Sequence, residues 1–246
     1  TIYTFGFHTA TTAAAFLAKK NNIKIVTRAH GFDVYDDQVE FRSHYFREFT
    51  FNKINAVYTC SENCTEYLQS SYRNFSKKRK RNYVGTLKIN QSFPNPSKKN
   101  EISLFTCARL EPVKRALLML ESLIYLSLNH EEIKINWTLI GDGSDNKKLR
   151  EQILKGLPRH LEVKMLGFME NKKVQNTIAC YEIDWYLSMS ESEGLGLSMC
   201  EALSYGVPVI ATNVGGVSEV VTDDVGILLS PNPDCKELAE RIKPYI

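Results

Sequence analysis

The chain has 246 residues, 43% of them hydrophobic and 24% charged, with 31 basic and 28 acidic side chains. At ~150 residues per domain this is one large or two small domains, and the composition excludes disorder, coiled coil and collagen. No apolar run approaches the ~20 residues that span a bilayer, and no stretch has the charged, apolar, small-residue order of a signal peptide, so the sequence reads as a soluble chain.

The charge is uneven: residues 1–85 carry 13 Lys or Arg against 7 Asp or Glu, and the remainder 18 against 21. Much of the excess is the run Lys77, Lys78, Arg79, Lys80 and Arg81, preceded by Arg73. It reads either as a solvated loop or as a patch attracted to an anionic membrane surface or an acidic acceptor. No nucleic acid is expected, because no recognisable binding module is present. Cys60, Cys64, Cys107, Cys180, Cys200 and Cys235 are scattered, which suits reduced core thiols in a cytoplasm better than a disulfide framework. No second Cys or His pair stands at zinc spacing beside Cys60 and Cys64, so these two read as structural. Glycosylation-type triplets at Asn63, Asn74, Asn90 and Asn136 reflect an Asn-rich composition rather than secretion.

In chain order, the pattern predicts a helix from about Thr9 to Lys20, a strand from Ile23 to Thr27 and then His30-Gly31-Phe32-Asp33. A strand from Ala56 to Cys60 and a helix from Glu62 to Tyr72 follow. This is expected for the later part of a helix-and-strand domain over residues 1–85. A polar, proline-punctuated stretch then predicts a linker over 86–100. From 101 to 246, short apolar strands alternate with amphipathic helices. The strands are Ile102–Cys107, Ile135–Ile140, Val163–Leu166, Ile183–Ser188, Val207–Ala211 and Gly226–Leu229. The helices are Lys114–Leu128, Asp145–Lys155, Asn171–Cys180 and Leu197–Tyr205, with a turn near Val217–Val221 and a last helix from Asp234. Such alternation predicts an α/β fold with a parallel sheet covered on both faces, whose ligands bind beyond the carboxyl ends of the strands.

Three segments follow predicted strands and carry chemistry. In Cys107-Ala108-Arg109-Leu110-Glu111-Pro112-Val113-Lys114-Arg115, a fixed guanidinium and a mobile ammonium point at the start of the next helix. That suits a phosphate or diphosphate, though surface charge flanking a turn reads equally well. Ile140-Gly141-Asp142-Gly143-Ser144 is a glycine turn that lets backbone approach a ligand, and alone it is a weak signal. In Glu193-Gly194-Leu195-Gly196-Leu197-Ser198-Met199-Cys200-Glu201, a loop carboxylate and a helical one are eight positions apart, which at ~1.5 Å per helical residue spans up to ~12 Å. Two such carboxylates grip hydroxyls at the ends of an elongated ligand while the helix start between them faces its phosphates, a nucleotide-sugar geometry.

With these residues in view, the sequence resembles the retaining glycosyltransferases of family 4, which have the two-domain GT-B fold of doubly wound, Rossmann-like parallel sheets. The matching segments are CARLEPVK, LIGDG, VKMLGF with Gly167 and Phe168, SESEGLGLSMCEALSYGVPVIAT, NVGGVSEVV and GILL, in that order across most of residues 102–230. RAHGFDVY looks like the His-Gly-x-Asp segment of polysaccharide-building members.

The resemblance implies that Arg109 and Lys114 bind the donor diphosphate and stabilise its growing charge. By the same resemblance Glu201 holds the ribose, Glu193 the transferred sugar, and the backbone of Gly194, Leu195, Gly196 and Leu197 the phosphates and sugar. Gly141 lies beside the donor, Phe168 and Met169 border the nucleobase, and His30 approaches the donor sugar from the other domain. Asp33 is an acceptor-side or orienting group, with helix capping as its plainer reading. Glu219 reads as a helix-start structural residue, and His8, His44, His130 and His160 as surface or packing residues.

The implied reaction is front-face transfer with retention, from a nucleotide-sugar donor, UDP favoured, to a glycan or lipid-linked acceptor in surface polysaccharide assembly at the cytoplasmic face of a membrane. No cofactor is expected and, without an Asp-x-Asp, no metal. A non-catalytic nucleotide-sugar-binding or scaffolding subunit is the alternative, and an epimerase a more remote one. The length suggests a complete donor domain with only the last part of the acceptor domain.

Overall fold

The computed structural model describes residues 1–21, 23–36, 44–86 and 98–246 and divides into two compact units. Most of the linker expected over 86–100, with the triplet at Asn90, lies outside the described residues.

The first unit comprises Thr1–Gly85 with two later loops, Glu193–Gly196 and Gly215–Val220. Its sheet holds β1 (Ile2–Phe5), β2 (Ile25–Ala29), β3 (Ala56–Thr59) and β4 (Arg79–Arg81), parallel and in sequence order. Helices α1 (Thr9–Asn21), α2 (Arg47–Lys53) and α3 (Glu62–Ser71) connect them. Small residues Ala14, Ala15 and Ala18 let α1 pack closely, and Ile25, Ala29, Phe51, Val57 and Leu68 are buried with them. Helix α3 starts at Ser61, whose side chain accepts the Cys64 N–H at 3.1 Å.

Three elements differ from the sequence reading. β1 is a four-residue strand whose aromatic side chains Tyr3 and Phe5 face outward, so its alternation runs against the usual hydrophobic signal. α2 is seven residues long, too short for a clear helical period, and follows Phe46 in the left-handed conformation. The basic run is not a solvated loop: its last residues form β4. Arg79 is buried and donates to the carbonyls of Leu68 and Tyr72 at 2.9 and 2.7 Å. Lys78 Nζ donates to the Phe51 carbonyl at 2.6 Å, and Arg81 pairs with Glu62 at 2.9 Å while lying over the Tyr83 ring. The Lys77 side chain lies outside the described residues, and Lys80 is exposed. Lys78, Arg79 and Arg81 thus bond local acceptors, while Lys80 and Arg81 keep exposed side chains.

The second unit comprises Thr86–Ser192, Leu197–Val214 and Val221–Ile246. Its six strands are β5 (Glu101–Cys107), β6 (Lys134–Ile140), β7 (Leu161–Gly167), β8 (Trp185–Ser188), β9 (Val209–Thr212) and β10 (Gly226–Leu229). They pair in parallel in the order β10-β9-β8-β5-β6-β7. The chain therefore winds outward from β5 to β7, returns to the other side of β5, and winds outward again, placing a topological switch point between β5 and β8. Helices α4 (Ala116–Asn129), α5 (Asn146–Leu154), α6 (Asn171–Cys180) and α7 (Leu197–Ser204) follow β5, β6, β7 and β8 in turn, and α8 (Glu237–Ile242) follows β10. The core runs from Ile102 and Leu104 through Trp137, Leu187 and Ile210 to Leu238 and Ile242. Inside it, Trp137 Nε1 donates to Thr106 Oγ1 at 3.0 Å, and that hydroxyl donates to the Leu187 carbonyl at 2.8 Å. Among the described residues no helix is long and apolar enough to cross a membrane.

The cysteines are free, but only Cys60 and Cys64 are buried; Cys180 is exposed and the others are half-buried. The core-thiol reading therefore holds for one pair, whose sulfurs lie 3.9 Å apart.

Candidate functional site

The switch point is built by the segments after β5 and β8. Beyond Cys107 the chain runs through Arg109, which is exposed, to a 3-10 turn at Pro112–Lys114 and then α4. Lys114 belongs to that turn rather than to the first turn of α4, because Pro112 starts the turn and Arg115, at φ 51°, breaks it from the helix. The Arg115 guanidinium is committed elsewhere, to the Pro231 carbonyl and Asn232 Oδ1, both at 2.9 Å. The Glu191 N–H donates to the Val113 carbonyl at 2.8 Å, joining the two post-strand segments. The Tyr186 hydroxyl, on β8, donates to the Cys107 carbonyl at 2.9 Å and is hydrogen-bonded with Ser198 Oγ at 2.8 Å, which fixes the first turn of α7 against the end of β5.

One turn further along α7, the Glu201 carboxylate accepts from Asn171 Nδ2 at 3.1 Å. Burial, with the Glu201 charge adding to it, pushes the Cys107 thiol up to about 11. Glu201 lies on the helix whose first turn is held at the end of β5 that leads into Arg109. No acidic residue occupies the first turn of α7, so its free N–H groups are not neutralised from within the helix. Nearby, Glu111 accepts from Ser144 Oγ at 2.7 Å; bonds from Ser144, and then Arg109, hold its carboxyl below the usual range.

Gly141 has a role the sequence does not reveal. Its φ is +143°, and a Cβ there would lie 1.8 Å from the Ala108 carbonyl oxygen. The missing side chain lets the loop after β6 close on the loop after β5, where Ala108 donates to Ile140, Leu110 to Asp142 and Asp145 to Leu110. After β7, Phe168 is 79% exposed, while Met169 is half-buried with its sulfur 4.0 Å from Thr177 Oγ1.

In the first unit, His30 and Asp33 follow β2. Asp33 is fully buried and its carboxylate accepts the N–H groups of Phe7, at 2.6 Å, and of His30. This corrects the acceptor-side reading: a carboxylate without exposed surface does not touch an acceptor, and Asp33 orients the loop instead. The His30 ring packs on Phe5 with centroids 4.5 Å apart and keeps Nδ1 3.8 Å from Asp33 Oδ2. The loop Glu193–Gly196 belongs to the same unit, and Gly31 and Gly194 meet so closely that a Cβ on either would lie 2.7 Å from the other's amide nitrogen. Leu195 and Gly196 are buried, Leu197 is exposed at the start of α7, and Glu193 is half-buried. Glu219 serves a helix start other than its own: its carboxylate accepts from Glu62 N at 2.8 Å and Asn63 N at 2.9 Å, opening α3.

The structure thus brings Arg109, Lys114 and Glu201 to the switch point of the second unit, and His30, Asp33 and the 193–196 loop together in the first. Sequence reasoning missed Tyr186 and Arg47, whose contacts with distant carbonyls leave no local pattern.

The model for Glycosyl transferases group 1 matches residues 88–246. The chain belongs to this family, the retaining family 4 glycosyltransferases of GT-B fold. The group 1 chain is 33% identical over 118 residues to an uncharacterized glycosyltransferase of Methanocaldococcus jannaschii, covering 47% of this chain and 32% of that one. It is 25% identical over 232 residues to the gpi3 subunit of the Schizosaccharomyces pombe phosphatidylinositol N-acetylglucosaminyltransferase, covering 93% of this chain and 49% of the relative. Among solved structures, Anabaena HepE in complex with UDP and glucose superposes with a TM-score of 0.73 at 22% identity, over 96% of this chain and 65% of that one. TarM gives 0.77 at 20% identity, over 98% and 47%. These two show the shared fold. The group 1 chain spans about half or less of the curated relatives described here.

Proposed function

We propose that the chain forms the donor-binding part of a glycosyltransferase that moves a sugar from a UDP-sugar to a glycan or lipid-linked hydroxyl, with retention at the anomeric carbon. The observation that carries this reading is the placement of Arg109 and Lys114 in the segment after β5, and of Glu201 on the helix after β8 whose first turn Tyr186 bonds to the end of β5, at the switch point of the second sheet. In this reading Arg109 and Lys114 hold the diphosphate and stabilise the charge that develops as the bond from the anomeric carbon to the phosphate oxygen breaks. Glu201 takes the ribose hydroxyls, Phe168 and Met169 border the base, and the first N–H groups of α7 face the phosphates. On the family resemblance alone, Glu193 is assigned to the sugar and His30 to its reacting end. The acceptor oxygen forms the new bond on the same face, and its proton passes to the departing phosphate.

The preference for UDP draws on relatives. HepE was solved with UDP and glucose, and the Streptococcus agalactiae GtfA subunit, 26% identical over 209 residues, is named as acting on UDP-N-acetylglucosamine and peptide. Calorimetric titration with UDP, GDP and ADP tests the site. UDP is expected to bind best, and Arg109→Ala and Glu201→Ala are each expected to weaken it about tenfold or more, as loss of a charge-assisted hydrogen bond does. Equal binding of all three nucleotides, or unchanged binding in both variants, contradicts the assignment.

A further inference from the structure

Two buried charges join the loops that follow β1 and β2. Asp33, with no exposed surface, accepts one N–H from each loop, those of Phe7 and His30. Arg47, 4% exposed at the start of α2, donates from Nη1 to the Phe7 carbonyl at 2.9 Å and from Nη2 to the Asp33 carbonyl at 2.6 Å. Its guanidinium also lies 4.0 Å above the Phe7 ring. The loops are therefore tied twice, once through a carboxylate that collects donors and once through a guanidinium that collects acceptors.

Each tied loop carries an imidazole. The His30 ring stands 3.8 Å from Asp33 Oδ2. On the other loop, a Cβ added to Gly6 would lie 2.4 Å from His8 Nε2 and 3.4 Å from Asp33 Oδ2, so the His8 ring and the same carboxylate both border Gly6. Filling space does not require this arrangement, since a well-packed apolar side chain fills a core without the cost of desolvating a cation. Burial lowers the Arg47 guanidinium to about 10, which leaves it charged at neutral pH. What a planar, forked cation supplies and an apolar residue does not is a fixed distance between two carbonyls.

We propose that Arg47 is a positioning residue for the proposed sugar transfer, acting with Asp33 as a brace that sets where the His8 and His30 loops stand at the carboxyl ends of β1 and β2. The catalytic half of this statement rests on the assignment of His30 to the reaction, and the experiment separates the two.

Arg47→Met, Arg47→Lys and Asp33→Asn are compared with the unaltered protein by hydrogen exchange, by UDP titration and by UDP release from UDP-N-acetylglucosamine. In Arg47→Met the Phe7 and His30 amides are expected to exchange about tenfold faster while β3 and the second unit keep their protection. UDP affinity is expected to stay within about twofold, and kcat for UDP release to fall about tenfold or more with donor KM little changed, as displacement of a reacting group does. Arg47→Lys, which keeps the charge and loses the fork, is expected to fall between. Wild-type exchange at Phe7 and His30 in folded Arg47→Met, or a wild-type kcat, overturns the proposal. Where Arg47→Met does not fold, Asp33→Asn, of nearly the same volume, decides by the same two criteria. A protein that binds UDP but releases none from the donor overturns the catalytic half for this chain, while the exchange data still decide whether the brace holds the loops.

Discussion

Two glycines that look alike in the sequence stand in different physical situations. Gly141 follows β6 and Gly167 ends β7, and each has positive φ, +143° and +74°. A β-carbon on Gly167 meets nothing within 4 Å, whereas one on Gly141 would overlap the Ala108 carbonyl. Gly167→Ala is therefore expected to cost about 1 kcal/mol, the left-handed penalty alone. Gly141→Ala adds a clash with backbone that cannot swing away, and is expected to cost about 3 kcal/mol or more. Urea denaturation of the two variants checks this. Equal midpoints would mean that the loops after β5 and β6 are not knit as closely as the structure has them. The sequence marked both positions through their glycines, but the reason for Gly141 lies in a carbonyl more than thirty residues away.

At the level of the element, α3 shows how a helix start is completed from outside. Ser61 accepts the Cys64 N–H, and Glu219 accepts those of Glu62 and Asn63, so the first three amides of α3 all have partners. The carboxylate also favours that end of the helix dipole. Glu219→Ala is expected to destabilise the protein by about 1–2 kcal/mol, the range for loss of a cap, and Glu219→Gln by less because the amide oxygen still accepts one bond. Thermal unfolding of the two variants measures both, and the order Gln worse than Ala would contradict the capping role. The helix from Glu62 was legible from its own run. Glu219 was not, because its partners lie 156 and 157 positions away and no local spacing encodes them. The same distinction runs through the fold. The alternating strands and helices after residue 101 announced the second sheet because each apolar run has its own period. β1, α2 and β4 were missed because they are short and their outward or charged residues hide it.

At the level of the whole molecule, the core of the second unit is self-contained. Its buried cluster, from Ile102 to Ile242, draws on none of the residues of the first unit or of the loops 193–196 and 215–220. A fragment over 98–246 has roughly 150 residues, an ordinary domain size, and carries Arg109, Lys114 and Glu201. It is expected to unfold in one cooperative transition and to bind UDP, with binding lost in the fragment bearing Arg109→Ala. It is not expected to release UDP from UDP-N-acetylglucosamine, because His30 and the brace that holds its loop lie outside it. Calorimetry and a UDP-release assay on the fragment and the whole chain separate these functions. A fragment that folds and fails to bind UDP would make nucleotide recognition depend on the first unit. A fragment that binds and also turns over the donor would remove His30 from the reaction, and the residues at the end of β5 and along α7 would then have to account for the chemistry.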